Sequence, residues 1–217
     1  MKFLFILSLP IFLNIFTCID KTNAIADAKT NQITIEPVQS VRNDDLKNAY
    51  FASGCFWCVE AIFEHVKGVE EAVSGYSGGH KDSPTYRQVS YGSTGHAEVV
   101  EVQYNPNIVD FKTLVKVFYG SQDPTTIGQS PDFGSAYRSV IFYQNEEEKQ
   151  IATDFKAEIQ KDYSDKVVTE IVPFQKFWIA EDYHQDYEKL NPNYPYIVRV
   201  SKPRLERFKA KFPELIK

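Results

Sequence analysis

Asn48-Ala49-Tyr50-Phe51-Ala52-Ser53-Gly54-Cys55-Phe56-Trp57-Cys58-Val59-Glu60-Ala61-Ile62-Phe63-Glu64-His65-Val66 contains a change of period, and that change decides how the chain folds. Asn48 to Ala52 is short, apolar and partly aromatic, which suits an extended strand. From Val59 to Val66 the residues Ala61, Ile62, His65 and Val66 fall near one face of a helix. The junction is Gly54-Cys55-Phe56-Trp57-Cys58. A thiol at a helix N-terminus meets the positive end of the dipole and unpaired N–H groups, both of which favour thiolate. Cys58 is one turn on, close enough for a disulfide if the backbone bends to suit. The junction therefore points to a redox cysteine and leaves open what it reduces.

Further strands are expected at Val69–Tyr76, running into Gly75-Tyr76-Ser77-Gly78-Gly79, at Ala97–Tyr104, at Tyr137–Tyr143 and at Lys166–Val172. Phe111, Leu114, Val115, Phe118 and Tyr119 recur at i, i+3, i+4, i+7 and i+8, which marks an amphipathic helix with Asp110 as its cap. Ile151, Phe155 and Ile159 mark another over Glu146–Lys161, and Pro203–Phe212 reads as a basic surface helix. The order β-α-β-β-α-β, then a helix and a strand, is that of an α+β ferredoxin-like split βαβ, a two-layer sandwich with extra C-terminal elements. Ser77–His96 and Gly120–Ala136 remain without regular structure. Loops of that length in a compact domain usually build a site, and the aromatic run Phe174–Tyr196 is a third candidate.

The chain of 217 residues is long enough for one domain with a substantial core. A net charge of −5 with no basic cluster argues against nucleic acid. Lys2 precedes an apolar run, Phe3 to Phe16, and Ala24-Ile25-Ala26 has the small-x-small form of a signal cleavage site. Residues 1–26 read as a signal peptide, 27–47 as a linker and 48–217 as the catalytic domain, giving an exported, periplasmic or secreted protein without stable membrane insertion after cleavage. An uncleaved anchor, or lipid attachment at Cys18, is the alternative. With Cys18 removed, only Cys55 and Cys58 remain, and a lone close pair favours redox turnover over stapling.

Gly54-Cys55-Phe56-Trp57-Cys58 stands in order with Gly75-Tyr76-Ser77-Gly78-Gly79, Pro84-Thr85-Tyr86-Arg87, Gly95-His96-Ala97-Glu98 and Asp132-Phe133-Gly134-Ser135-Ala136-Tyr137-Arg138-Ser139. Over about Asn48 to Tyr196 this closely resembles the peptide methionine sulfoxide reductase A family. The resemblance implies reduction of methionine S-sulfoxide, free or in proteins. Cys55 matches the nucleophile, Glu98 the acid, Tyr86 and Tyr137 the donors to the sulfoxide oxygen, and Asp132 a carboxylate that orients substrate. Phe56 and Trp57 match the apolar wall for the S-methyl group. Attack would leave a sulfenic acid on Cys55, Cys58 would resolve it as a disulfide, and an external dithiol, thioredoxin-like, would regenerate the pair. No bound cofactor or metal is implied. Many members carry Gly where Cys58 sits, with resolving cysteines in a C-terminal tail, whereas Ser201–Lys217 has none.

Other readings stay open on the residues alone. CxxC after a strand also fits a thiol-disulfide oxidoreductase, although the bulky aromatic pair and the element order oppose it. An exported binding protein with a structural Cys55–Cys58 bridge is a third. Read singly, Glu98 is a solvated strand residue, Tyr86 and Tyr137 are packing residues, and Asp132 is a turn or cap. His184 reads as a structural hydrogen-bonding group rather than a metal ligand.

Overall fold

The computed structural model describes residues 45–217. The expected signal peptide lies outside the described residues, as does the linker except for residues 45–47, the last of which opens the first strand. In chain order the elements are β1 (Lys47–Ser53), α1 (Phe56–Glu64), β2 (Val69–Ser77), α2 (Tyr86–Ser90), β3 (Ala97–Tyr104) and α3 (Phe111–Gly120). A small hairpin of β4 (Gly128–Gln129) and β5 (Asp132–Phe133) follows, then β6 (Ser139–Tyr143), α4 (Glu146–Ile159), β7 (Glu170–Pro173), β8 (Trp178–Ile179), α5 (Tyr187–Leu190) and α6 (Lys202–Lys211).

The main sheet runs β7-β6-β1-β3-β2-β8. Its inner four strands, β6-β1-β3-β2, are all antiparallel neighbours, which is the split βαβ arrangement expected from the element order. β7 extends this sheet parallel to β6, and β8 closes the other edge against β2. β1 reads as unbroken apolar sequence because both of its faces are covered. Ala49 and Phe51 face the helices, where Phe51 lies 5.1 Å from Phe63 and 5.5 Å from Phe118, ring centre to ring centre. Tyr50 and Ala52 face the other way, under Phe174 and Phe177, and the Tyr50 and Phe174 rings stack at 3.8 Å.

The register brings the chemistry to one end. β1 and β2 finish where β3 and β6 start, since both are antiparallel to β3 and β1 is antiparallel to β6. Cys55 follows β1, Tyr76 pairs with Glu98 across β2 and β3, and Tyr137 precedes β6. Asp110 caps α3 as expected, accepting from Thr113 N at 2.7 Å.

Several expected boundaries move. α1 begins at Phe56 rather than Val59, directly after Cys55. Tyr137 is not in a strand but ends the 3-10 turn Ser135–Tyr137. β7 is shorter than Lys166–Val172 because Val167 N donates to the Gln160 side chain and Val168 N to the Pro124 carbonyl, not to a ladder. The long loops hold α2 and the β4–β5 hairpin. α6 is no mere surface helix: Arg204, Leu205 and Phe208 are buried.

Candidate active site

Cys55 occupies the N-cap of α1, and Cys58 lies one turn inside the helix; both are buried and reduced. Gly54 makes the approach with φ +88°, a conformation that suits glycine, and donates its N–H to the Tyr137 carbonyl at 3.1 Å. The next amide, Phe56 N, donates at 2.9 Å to Glu98 Oε2, which ties the first turn of α1 to the start of β3. The helix N-terminus thus presents an N–H to a carboxyl group, next to the thiol.

Glu98 is almost fully buried, and burial is what pushes its carboxyl up to about 8, with Asp132 and Cys58 adding to the rise against the Phe56 N–H. It is therefore mostly neutral at pH 7. Burial also raises Tyr86 to about 12 and Tyr137 well above the usual phenol range, so both hydroxyls keep their protons. Tyr86 opens α2 and is anchored by its backbone N–H, which donates at 2.9 Å to Glu181 Oε1. The same carboxylate accepts from Tyr76 Oη at 2.8 Å, so Glu181 pins α2 to β2.

At the thiols, burial competes with the pull of the helix terminus. Burial pushes Cys55 up, and the neighbouring Cys58 sulfur raises it further. The Cys55 thiol beside it brings Cys58 down to about 6, helped by the guanidinium of Arg204. Burial thus favours the pair's shared proton on Cys55, and the Arg204 guanidinium favours the charge on Cys58. Desolvation outweighs the dipole for Cys55 because the sulfur is buried.

Phe56 and Trp57 divide as their adjacency on a helix requires. Phe56 is fully buried, 5.9 Å from Tyr76 and 6.2 Å from Tyr86 between ring centres. Trp57 is partly exposed and stacks on Tyr187 at 3.7 Å and 7°, a contact worth ~1 kcal/mol beyond area burial. Its Nε1–H donates to His184 Nδ1 at 3.1 Å, so His184 is the structural hydrogen-bonding group expected of it. Burial lowers His184 to about 4, which keeps the ring a neutral acceptor.

The chain belongs to the peptide methionine sulfoxide reductase family. The family model, described as peptide methionine sulfoxide reductase, matches residues 47–215. A protein of Pasteurella multocida named peptide methionine sulfoxide reductase MsrA is 44% identical over 172 residues, 79% of this chain and 99% of its own. Another so named, from Sulfolobus acidocaldarius, is 44% identical over 167 residues, 76% of this chain and 95% of its own. The structure of methionine sulfoxide reductase A of Corynebacterium diphtheriae superposes with TM-score 0.63 at 32% identity, covering 68% of this chain and 76% of that one.

Asp132 joins the Glu98 group to a cavity, its charge adding to the burial that raises Glu98, Tyr86 and Tyr137. Its carboxylate accepts from the Tyr196 hydroxyl, and that hydroxyl lies 3.8 Å from Cys58 Sγ. Asp132, Tyr196 and both cysteines line a cavity of about 510 Å³, whereas Glu98, Tyr86, Tyr137, Phe56 and Trp57 lie outside its lining. Cys55 thus has two sides in this member of the reductase family: aromatic rings, phenols and a neutral carboxyl on one, a polar cavity on the other.

Two residues of that second side escaped the sequence reading. In the sequence Tyr196 is only the end of the aromatic run Phe174–Tyr196, with no motif or role of its own. Arg204 is buried, donating Nε–H to the Ser121 carbonyl at 2.7 Å and Nη2–H to the Ser53 carbonyl at 3.0 Å. A polar residue on the inward face of α6, beside Leu205 and Phe208, was the available signal. One acidic trio, Glu60, Glu64 and Asp186, has metal-like spacing among the described residues, but Lys189 Nζ already bonds Glu64 at 2.6 Å and Asp186 at 2.7 Å.

Proposed function

We propose that this member of the family reduces methionine S-sulfoxide with Cys55 as nucleophile, Glu98 as acid and Cys58 as resolving thiol. The observation that carries the assignment is the hydrogen bond from Phe56 N to Glu98, which sets a neutral carboxyl beside the nucleophile. A sulfoxide sulfur becomes electrophilic as its oxygen gains a proton, so thiolate and acid must act in one place. Tyr86 and Tyr137 donate to the same oxygen. Phe56 and Trp57 receive the S-methyl group, and an apolar slot beside polar donors distinguishes one epimer from its mirror image. Asp132, held by Tyr196, orients the substrate from the cavity side.

The protons balance through the sulfur pair. As substrate arrives, the shared proton moves from Cys55 to Cys58, and the Cys55 thiolate attacks sulfur. Glu98 gives its proton to the oxygen, methionine leaves and Cys55 carries a sulfenic acid. Cys58 attacks that sulfur, its proton departs with the hydroxyl as water, and a Cys55–Cys58 disulfide remains with Glu98 ionised. An external thioredoxin-like dithiol returns two electrons by exchange, and Glu98 regains its proton. Export is part of the same proposal, supported by the apolar run after Lys2 and by Ala24-Ile25-Ala26. The test is methionine release from each epimer of a peptide sulfoxide with dithiothreitol. Turnover of the S-epimer alone is expected, and turnover of disulfides but of neither sulfoxide would overturn the reading.

A further inference from the structure

The cavity behind Cys55 contains groups that sulfoxide reduction does not need. Arg204, Arg207 and Lys211 recur at i, i+3 and i+7 and form its wall from α6. Among the described residues none of the three is in an ion pair, and Arg207 and Lys211 are exposed. Two acids also line the cavity, Asp132 accepting from Tyr196, and Asp123 from Thr125 N at 2.9 Å and Thr125 Oγ1 at 2.6 Å, so three cations face two carboxylates there. Gln122, which lines the cavity from the segment after α3, has its amide oxygen and nitrogen both buried without a partner. Such a pair is complementary to a peptide group, which offers one donor and one acceptor.

Depth decides what can reach the sulfurs. Cys58 is 1% exposed and Cys55 7%. A thioredoxin-like partner would have to part the walls to bring its cysteine to either, a step that the dithiol exchange proposed above would include. A small thiol would not have to, since about 510 Å³ falls within the roughly 300–1,000 Å³ of small-molecule sites.

We propose that this cavity admits a small anionic peptide thiol, a cysteinyl di- or tripeptide with free carboxylates, which reduces the Cys55–Cys58 disulfide directly. The inference rests on the reading that this disulfide forms during turnover. The thiolate attacks the more exposed sulfur, Cys55, while its carboxylates pair with Arg207 and Lys211. The Cys55–Cys58 bond breaks, and Cys58 leaves as a thiolate beside Arg204. A second thiol attacks the small partner's sulfur in the mixed disulfide, releasing the oxidised small disulfide and returning Cys55 with a proton. Two thiols supply two electrons and two protons, so the exchange closes.

The experiment compares glutathione with its diethyl ester, in which the carboxylates are blocked, as reductants in steady-state turnover of a peptide S-sulfoxide at low ionic strength. The unmodified protein should favour glutathione in kcat/KM by about tenfold, and this ratio should shrink toward one at high salt. In Arg207→Glu/Lys211→Glu it should fall by about tenfold or invert; both substitutions are at exposed positions, and a ratio within one protein is insensitive to the active fraction. A ratio near one in the unmodified protein, or one unaltered by the double substitution, overturns the proposal. So does a double variant impaired only with a thioredoxin, which would make the α6 wall a protein docking face. Absence of turnover with dithiothreitol would instead sink the disulfide reading beneath it.

Discussion

Glu98→Gln separates the chemistry of this site from its cost to the fold. In the unfolded chain the carboxyl ionises near 4.5, whereas burial moves the folded value to about 8. Below 4.5 both states hold the proton, and ionisation adds nothing to the difference between variant and parent. Between 4.5 and about 8 the unfolded chain releases a proton that the folded one retains, so the parent loses ~1.4 kcal/mol of stability for each pH unit. Over the whole window the loss reaches ~5 kcal/mol, and near pH 7 it is ~3 kcal/mol. The glutamine amide of the variant does not ionise, and its oxygen can still accept from Phe56 N. The variant should therefore gain stability relative to the parent as pH rises through this window, while any fixed cost of placing the amide stays constant. Urea denaturation of the pair at pH 4.5 and pH 8 reads the difference directly. Glu60, also raised to about 8 by burial, contributes the same trend to both proteins and cancels. Activity should fall by ~10²–10⁴ in the variant, the usual contribution of a positioned acid, with substrate binding largely kept. A stability difference that does not change with pH would mean that Glu98 ionises in the fold as it does in water, and the acid assignment would fail.

Two further substitutions probe the other side of Cys55. Arg204→Met removes the cation beside Cys58, so ultraviolet thiolate absorbance of the reduced pair should titrate about 1 pH unit higher in the variant than in the parent protein. The same change leaves the Ser53 and Ser121 carbonyls without a donor, for a loss of ~1–3 kcal/mol in urea denaturation. Gly54→Ala asks a side chain to adopt φ +88° with its Cβ 3.0 Å from Gln129 Cγ, and should cost ~1–3 kcal/mol by the same assay. An unaltered midpoint for that variant would show that the approach to Cys55 is not strained.

What the sequence made legible follows from how local each signal is. β3 and α3 carry their period within themselves, and Asp110 announces its own cap, so these elements lie where they were expected. The order of the inner strands follows from the element order, because a split βαβ leaves few alternatives. The hairpin at Gly128–Phe133 is two residues to a side, too short to show alternation. β7 fails at its start because Gln160, on a preceding turn, takes the amide of Val167. The Glu98 group required the family motif as well as the register, since no residue near position 98 reveals that Phe56 N will meet it. A dipole argument sees the helix terminus but not the depth of burial, which raises Cys55. Arg204 and Tyr196 were missed because each acts across long stretches of chain, through a cavity that only the fold creates.

The most direct measurement is a single turnover of Cys58→Ser with peptide methionine S-sulfoxide and no reductant, followed by intact and peptide mass spectrometry. The account predicts one methionine released per protein molecule and one added oxygen, located on Cys55. Methionine released with Cys55 left unmodified, or no methionine released while the parent protein turns over with dithiothreitol, would contradict it.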